Sequence, residues 1–142
     1  MRINFLIPHL GISGGISATL TFAHELSKRG HDIVIAVESQ SLTRHIRNLS
    51  NRHPLLPKNT EVKLMRVHDF DDLSDADIFF ADSWKVAKKL NDMKVTGVKF
   101  QYIQHDERMY HGNPEAVAEV YRLPMRKFVN ATWLHEIFKK EF

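Results

Sequence analysis

His105 and Asp106 stand side by side at the end of a strand-like stretch, residues 99–104. An imidazole beside a carboxylate can hold a hydroxyl or move a proton near neutral pH, which makes the pair a candidate catalytic unit. A second chemical signal is Gly11-Ile12-Ser13-Gly14-Gly15, a loop that leads from a strand-like stretch straight into a helical one. Such a junction turns backbone N–H groups toward an anion, so Ser13, Gly14 and Gly15 are candidate substrate-binding residues. Asp82 and Ser83 follow a further strand-like stretch, and Thr132 follows another. Each has an ordinary structural reading beside the chemical one. The glycines could serve only a tight turn, Asp82 could cap a helix starting near Trp84, and His105 could be a hydrogen-bonded structural residue.

These residues act together only if the fold gathers them. Residues 2–8 are apolar enough for a strand buried on both faces, with Pro8 ending it. A helix from about 16 to 29 would bury Leu20, Ala23 and Leu26, and Gly30 then follows the basic pair Lys28-Arg29 as a helix terminator. The β-branched stretch 32–38 completes a βαβ unit, which implies a right-handed crossover and parallel strands. Ser41 is placed to cap a short helix carrying Leu42, Ile46 and Leu49, and 53–60, with Pro54 and Pro57, is loop. Further strands are expected at 61–67, 78–82, 99–104 and 127–131. Helices are expected after Trp84, over 114–121 and from Trp133 onward, the last with Trp133, Leu134, Ile137 and Phe138 as core or domain-interface packing residues. The expectation is an α/β fold: a doubly wound, Rossmann-like parallel sheet in a three-layer α/β/α single domain spanning 1–142. Ligands of such sheets gather outside the carboxyl ends of the strands. That rim would collect Gly14, Gly15, Glu38, His68, Asp69, Asp82, Ser83, His105, Asp106 and Thr132.

Composition narrows the function classes. With no cysteine among 142 residues, disulfides, thiol nucleophiles and thiolate metal sites are excluded, and a reducing, cytoplasmic setting is the natural expectation. No stretch reaches the roughly eighteen apolar residues of a membrane span, and Pro8 and Gly11 interrupt the apolar N-terminus too early for a signal peptide. A net charge of +3, dispersed among acids, is no nucleic-acid footprint. An anionic small molecule or membrane surface remains compatible with it.

The glycine loop before a helix ending in Arg29-Gly30-His31 is one of four features that together resemble a known family. The others are Ala76-Asp77-Ile78 at the start of a strand, His105-Asp106 after the fifth strand, and Asn130-Ala131-Thr132-Trp133-Leu134. In this order and spacing they resemble the N-terminal domain of a family 4 glycosyltransferase of the GT-B fold, across nearly the whole chain. The resemblance implies a retaining transfer from a nucleotide-sugar donor to a glycan or lipid-linked acceptor hydroxyl. This half would receive the acceptor, and a second Rossmann-like domain, absent here, would bind the donor. It further implies that His105 contacts hydroxyls near the reaction centre, that the glycine loop approaches the donor diphosphate, and that Asp82 occupies a position the family often gives to histidine. It also leads one to expect another strand and a hinge beyond residue 142, so that the chain is the front half of a longer enzyme and inactive alone. No cofactor and no resident metal are expected.

Three further patterns are weaker. Glu107 and Glu115 have the seven-residue gap of the family's donor motif, but Gly112 falls five residues after the first glutamate instead of four, and the pair follows the wrong strand. Asp69-Phe70-Asp71 is similar to the metal-holding Asp-x-Asp of the other main glycosyltransferase fold, yet it lies in a generally acidic loop. Arg44, His45, Arg47 and Arg52 could form the polar side of an amphipathic helix on an anionic membrane, or a solvated face over the core. Two rival functions remain. A dinucleotide domain would use Glu38 for a ribose, although Ser13 and Ile16 stand where its fingerprint wants glycines. A binding or regulatory subunit would pair with a separate donor-domain chain.

Overall fold

In the computed structural model residues 1–39, 53–111 and 113–142 are described in full and 47–48 by their backbone. The elements are β1 (Arg2–Ile7), α1 (Gly14–Lys28), β2 (Asp32–Glu38), β3 (Arg47–Asn48), β4 (Lys63–Val67), β5 (Ile78–Ala81), α2 (Trp84–Asp92), β6 (Val98–Ile103), α3 (Pro114–Tyr121), β7 (Arg126–Val129) and α4 (Thr132–Glu141). Short 3₁₀ turns lie at Phe70–Asp72 and Glu107–Met109.

They form one sheet of order β3-β4-β2-β1-β5-β6-β7. All neighbouring pairs from β4 to β7 are parallel. The parallel strands thus run outward from β1 in both directions, the doubly wound Rossmann-like arrangement, with its switch point between β1 and β5. The exception to the parallel expectation is β3, whose two residues pair antiparallel to β4, Arg47 opposite Arg66. That pairing also replaces part of the expected 42–49 helix; the rest of that segment, including Arg44 and His45, lies outside the described residues, as does Arg52.

Strand alternation splits the core into layers. Phe5 and Ile7 of β1 pack with Ile16, Leu20 and Ala23 of α1 on one face. Leu6 of the same strand packs with Phe79 and Ala81 of β5 and with Val86, Ala87 and Leu90 of α2 on the other. A third cluster joins Ile103 to Tyr121 of α3 and Leu134 and Phe138 of α4. Each such side chain contributes about 1.5–3 kcal/mol when fully buried. Trp133, expected in this packing, is instead half exposed. Phe22 of α1, in edge or stacked contact with Phe5, Phe80 and Phe128, pins the helix across the switch point. Lys99 and Lys127 lie early in their strands. Lys99 donates to the carbonyls of Asn91 and Met93 at the end of α2, and Lys127 to those of Leu123 and Met125 after α3, which fixes where each helix hands the chain back to the sheet.

The helix expected from about residue 16 begins two residues earlier. Ser13 caps it, its Oγ accepting the Ile16 N–H at 3.3 Å, so Gly14 and Gly15 belong to the first turn. Neither has a positive φ; that conformation belongs to Gly30 (φ 82°), which ends α1 as expected, and to Gly97 (φ 141°) before β6. A Cβ at Gly97 would stand 2.1 Å from the Ala76 carbonyl oxygen, whereas one at Gly14 meets nothing within 4 Å. Gly97→Ala should therefore destabilise the protein by about 1–3 kcal/mol, and Gly14→Ala should leave the urea midpoint unchanged or slightly raised. Equal midpoints for the two variants would contradict this assignment of strain.

Candidate functional site

A cleft of about 680 Å³ opens at the carboxyl ends of β1, β5 and β6, on the rim beside the switch point. It is lined by Ser13, Gly14 and Gly15 before and at the start of α1, by Asp82 and Ser83 after β5, and by Gln104, His105, Glu107 and His111 after β6. The absence of any Cβ contact at Gly14 means that the glycine exposes backbone to this space and is not there to relieve crowding.

Asp82 is held from two elements. Thr19 of α1 donates its hydroxyl to Oδ2 at 2.8 Å, and the Gln104 amide donates to Oδ1 at 2.6 Å. The same Gln104 nitrogen lies 3.1 Å from the Gly15 carbonyl oxygen and 3.2 Å from the Thr19 hydroxyl. One amide thereby ties the end of β6 to the first turns of α1 and to the loop after β5. No cation among the described residues is paired with Asp82, and burial pushes its carboxyl up to about 7 against the two hydrogen bonds that favour the ionised form. The helix-cap reading of Asp82 is not what the structure shows: Ser83 caps α2, its Oγ accepting from Val86 N–H, and the Asp82 carboxyl is left for the cleft.

Glu107 is the second carboxyl of the cleft and is buried. Its Oε2 accepts the Trp84 N–H at 2.9 Å, and its own N–H donates to the Tyr121 hydroxyl at 2.9 Å. Burial again dominates and raises it to about 7, with Asp82 and Asp106 adding repulsion. The 3₁₀ turn that follows brings His111 back toward His105, with their Nε2 atoms 3.5 Å apart. Burial, then His111, push the His105 imidazole below its usual range, opposed by Asp106. One donor atom from each of His105, Glu107 and His111 lies within 4.8 Å of the other two, the one grouping among the described residues able to hold a metal ion.

The other sequence candidates are dispersed. Asp106 is buried and its carboxylate is engaged by Arg108 through Nε and Nη2, at 2.7 Å for the latter; Arg108 also reaches Glu141 on α4. Arg108 holds the Asp106 carboxyl below the usual range, and Asp106 does not line the cleft. Thr132 is exposed and lies in a shallower depression with Asn130 and His135. Glu38 is bound by Lys89 and by the Phe70 N–H. Asp69 of the Asp-x-Asp pattern is taken up in a reciprocal capping box with Asp72 on the Phe70–Asp72 turn. Glu115 pairs with Arg122 on α3, away from the cleft that Glu107 lines.

Sequence reasoning missed Thr19, Gln104 and His111 and set Glu107 aside. The alternation His105-x-Glu107 was visible, but only the 3₁₀ turn returns His111 to it. No protein-family model matches the chain, and no curated protein matches it. The site is therefore read from its own geometry.

The Asp82 carboxyl loses its proton near pH 4 in the unfolded chain and near 7 in the fold. Between those values the unfolded state binds fewer protons, so this group's effect on stability becomes less favourable as pH rises from about 4 to 7 and is constant above. Asp82→Asn removes that slope. Relative to the parent, the variant should gain about 1–3 kcal/mol between pH 4.5 and pH 8, read from urea midpoints. An unchanged difference across that range would mean that Asp82 titrates as an ordinary surface carboxyl.

Proposed function

We propose that this chain is the acceptor-binding domain of a retaining glycosyltransferase of the GT-B type, similar to family 4, working in the cytoplasm on a glycan or lipid-linked acceptor. The observation that carries the reading is the cleft itself, in which an uncapped, cation-free carboxyl, Asp82, faces bare helix N-terminal backbone across the switch point. A polyhydroxylated ligand needs acceptors for its O–H groups. Asp82, fixed by Thr19 and Gln104, offers them without losing rotamer freedom on binding, and its ionisation near neutrality suits it to take up a hydroxyl proton as the acceptor attacks.

The donor half of the reaction falls to a second domain. Charge develops there on the departing diphosphate, and the first N–H groups of α1, opening at Gly14 and Gly15, are suited to meet it across the cleft. No described helix is long and apolar enough to cross a membrane. A lipid-linked acceptor would thus be met at the surface of its bilayer.

The dinucleotide alternative is weakened by one observation. Its ribose-binding acid would be Glu38, and both oxygens of that carboxylate are taken, by Lys89 and by the Phe70 N–H.

The isolated 142 residues should bind acceptor-type oligosaccharides and turn over no nucleotide-sugar. In ligand-observed NMR against an oligosaccharide panel, Asp82→Ala should weaken binding about tenfold or more, the loss of roughly one charged hydrogen bond. Saturation of the cleft by NAD, with no response to any sugar, would overturn the proposal.

A further inference from the structure

We infer that His105, Glu107 and His111 form a site for a divalent cation of the zinc class. Two imidazoles and one carboxylate are the borderline ligand set that zinc and its neighbours prefer, whereas magnesium and calcium favour oxygen alone. The distances fit. Two nitrogens each about 2.0–2.1 Å from a tetrahedral zinc stand roughly 3.4 Å apart, and the Nε2 atoms of His105 and His111 are 3.5 Å apart. Glu107 completes the triangle within 4.8 Å.

The ligands are also held as ligands usually are. Glu107 is oriented by the Trp84 N–H, which donates to its Oε2, while its own N–H is fixed by the Tyr121 hydroxyl. His111 donates its backbone N–H to the Glu107 carbonyl at 3.1 Å, which closes the turn at the required spacing. The Tyr110 ring meets His105 edge to face at 5.5 Å. All three ligands line the cleft, so the fourth position of a tetrahedral ion would open on the space shared with Asp82 and take a water or a ligand oxygen. The site stands whether or not the cleft receives a sugar.

The competing explanation is a bare hydrogen bond between the two imidazoles, and metal titration separates the two. The full chain, stripped with EDTA and dialysed, would be titrated with Zn²⁺ by calorimetry and with Co²⁺ by visible absorption, with Mg²⁺ as the contrast. One equivalent of Zn²⁺ should bind, Co²⁺ should give the intense visible bands of a tetrahedral site, and Mg²⁺ should not compete. His105→Ala and His111→Ala should each weaken Zn²⁺ binding by at least about 100-fold, beyond the loss expected of an outer partner, and Glu107→Gln should weaken it too. His135→Ala, on the outer face of α4, should not. Should a variant fail to fold by circular dichroism, imidazole NMR of the parent decides: Zn²⁺ must shift the His105 and His111 resonances and spare His135. Absence of Zn²⁺ binding by the folded parent, or binding indifferent to the loss of both histidines, would overturn the assignment.

Discussion

The side-chain amide of Gln104 is the contact on which the site depends. It lies at the end of β6, yet its nitrogen reaches the Asp82 carboxylate, the Gly15 carbonyl oxygen and the Thr19 hydroxyl. Two N–H bonds shared among three acceptors cannot be rearranged piecemeal, because moving any one partner leaves a partly buried polar group unpaired. The helix start, the loop after β5 and the strand end of β6 are therefore set relative to one another by a neutral donor. A lysine in that place would hold Asp82 as firmly, but it would pin the carboxylate in its ionised form and remove its capacity to exchange a proton near neutral pH.

The same distinction sorts the carboxylates of the rim. Asp106 and Glu38 each have a basic partner, Arg108 and Lys89, and each braces a turn or a helix. Asp82 and Glu107 receive only N–H and O–H donors, and both are raised to about 7 by burial. Keeping two such groups in one cleft opposes folding above neutral pH, since the unfolded chain ionises them freely. A core of this size tolerates that cost because three apolar clusters lie beneath it. Strain and desolvation of this kind collect where a protein does chemistry.

The sheet was legible because its signals are local and redundant. The β-branched run within 32–38 and the aromatic run within 78–81 are buried along consecutive residues, hence on both faces, and Gly30 closes α1 in the left-handed conformation that its place after Lys28-Arg29 implied. The rim was legible from topology, which put Ser13, Gly14, Gly15, Asp82, Ser83 and His105 into one cleft. Asp106 and Thr132 fell outside it for reasons that adjacency conceals. The residue after His105 turns inward to Arg108, and Thr132 sits one strand beyond the cleft, after β7. Thr19 was invisible as a site residue because a buried threonine within a helix reads as packing. His111 required a turn whose geometry depends on Tyr121, fourteen residues from Glu107.

The two halves of the rim are built for different ends. On the β2 and β4 side Glu38 holds Lys89 and the Phe70 N–H, and Asp69 and Asp72 cap each other's backbone. These contacts tie β2, the Phe70 turn and α2 together. On the β5 and β6 side Asp82 and Glu107 have no cationic partner among the described residues, Gly14 leaves backbone bare, and the imidazoles of His105 and His111 lie beside the buried Glu107 carboxyl. Both halves lie at the carboxyl ends of the same parallel strands, so topology alone offers them equally. Lys89 and Arg108 take up Glu38 and Asp106, the latter tied on to Glu141 of α4, and this separates those two acids from Asp82 and Glu107 in the cleft over β1, β5 and β6.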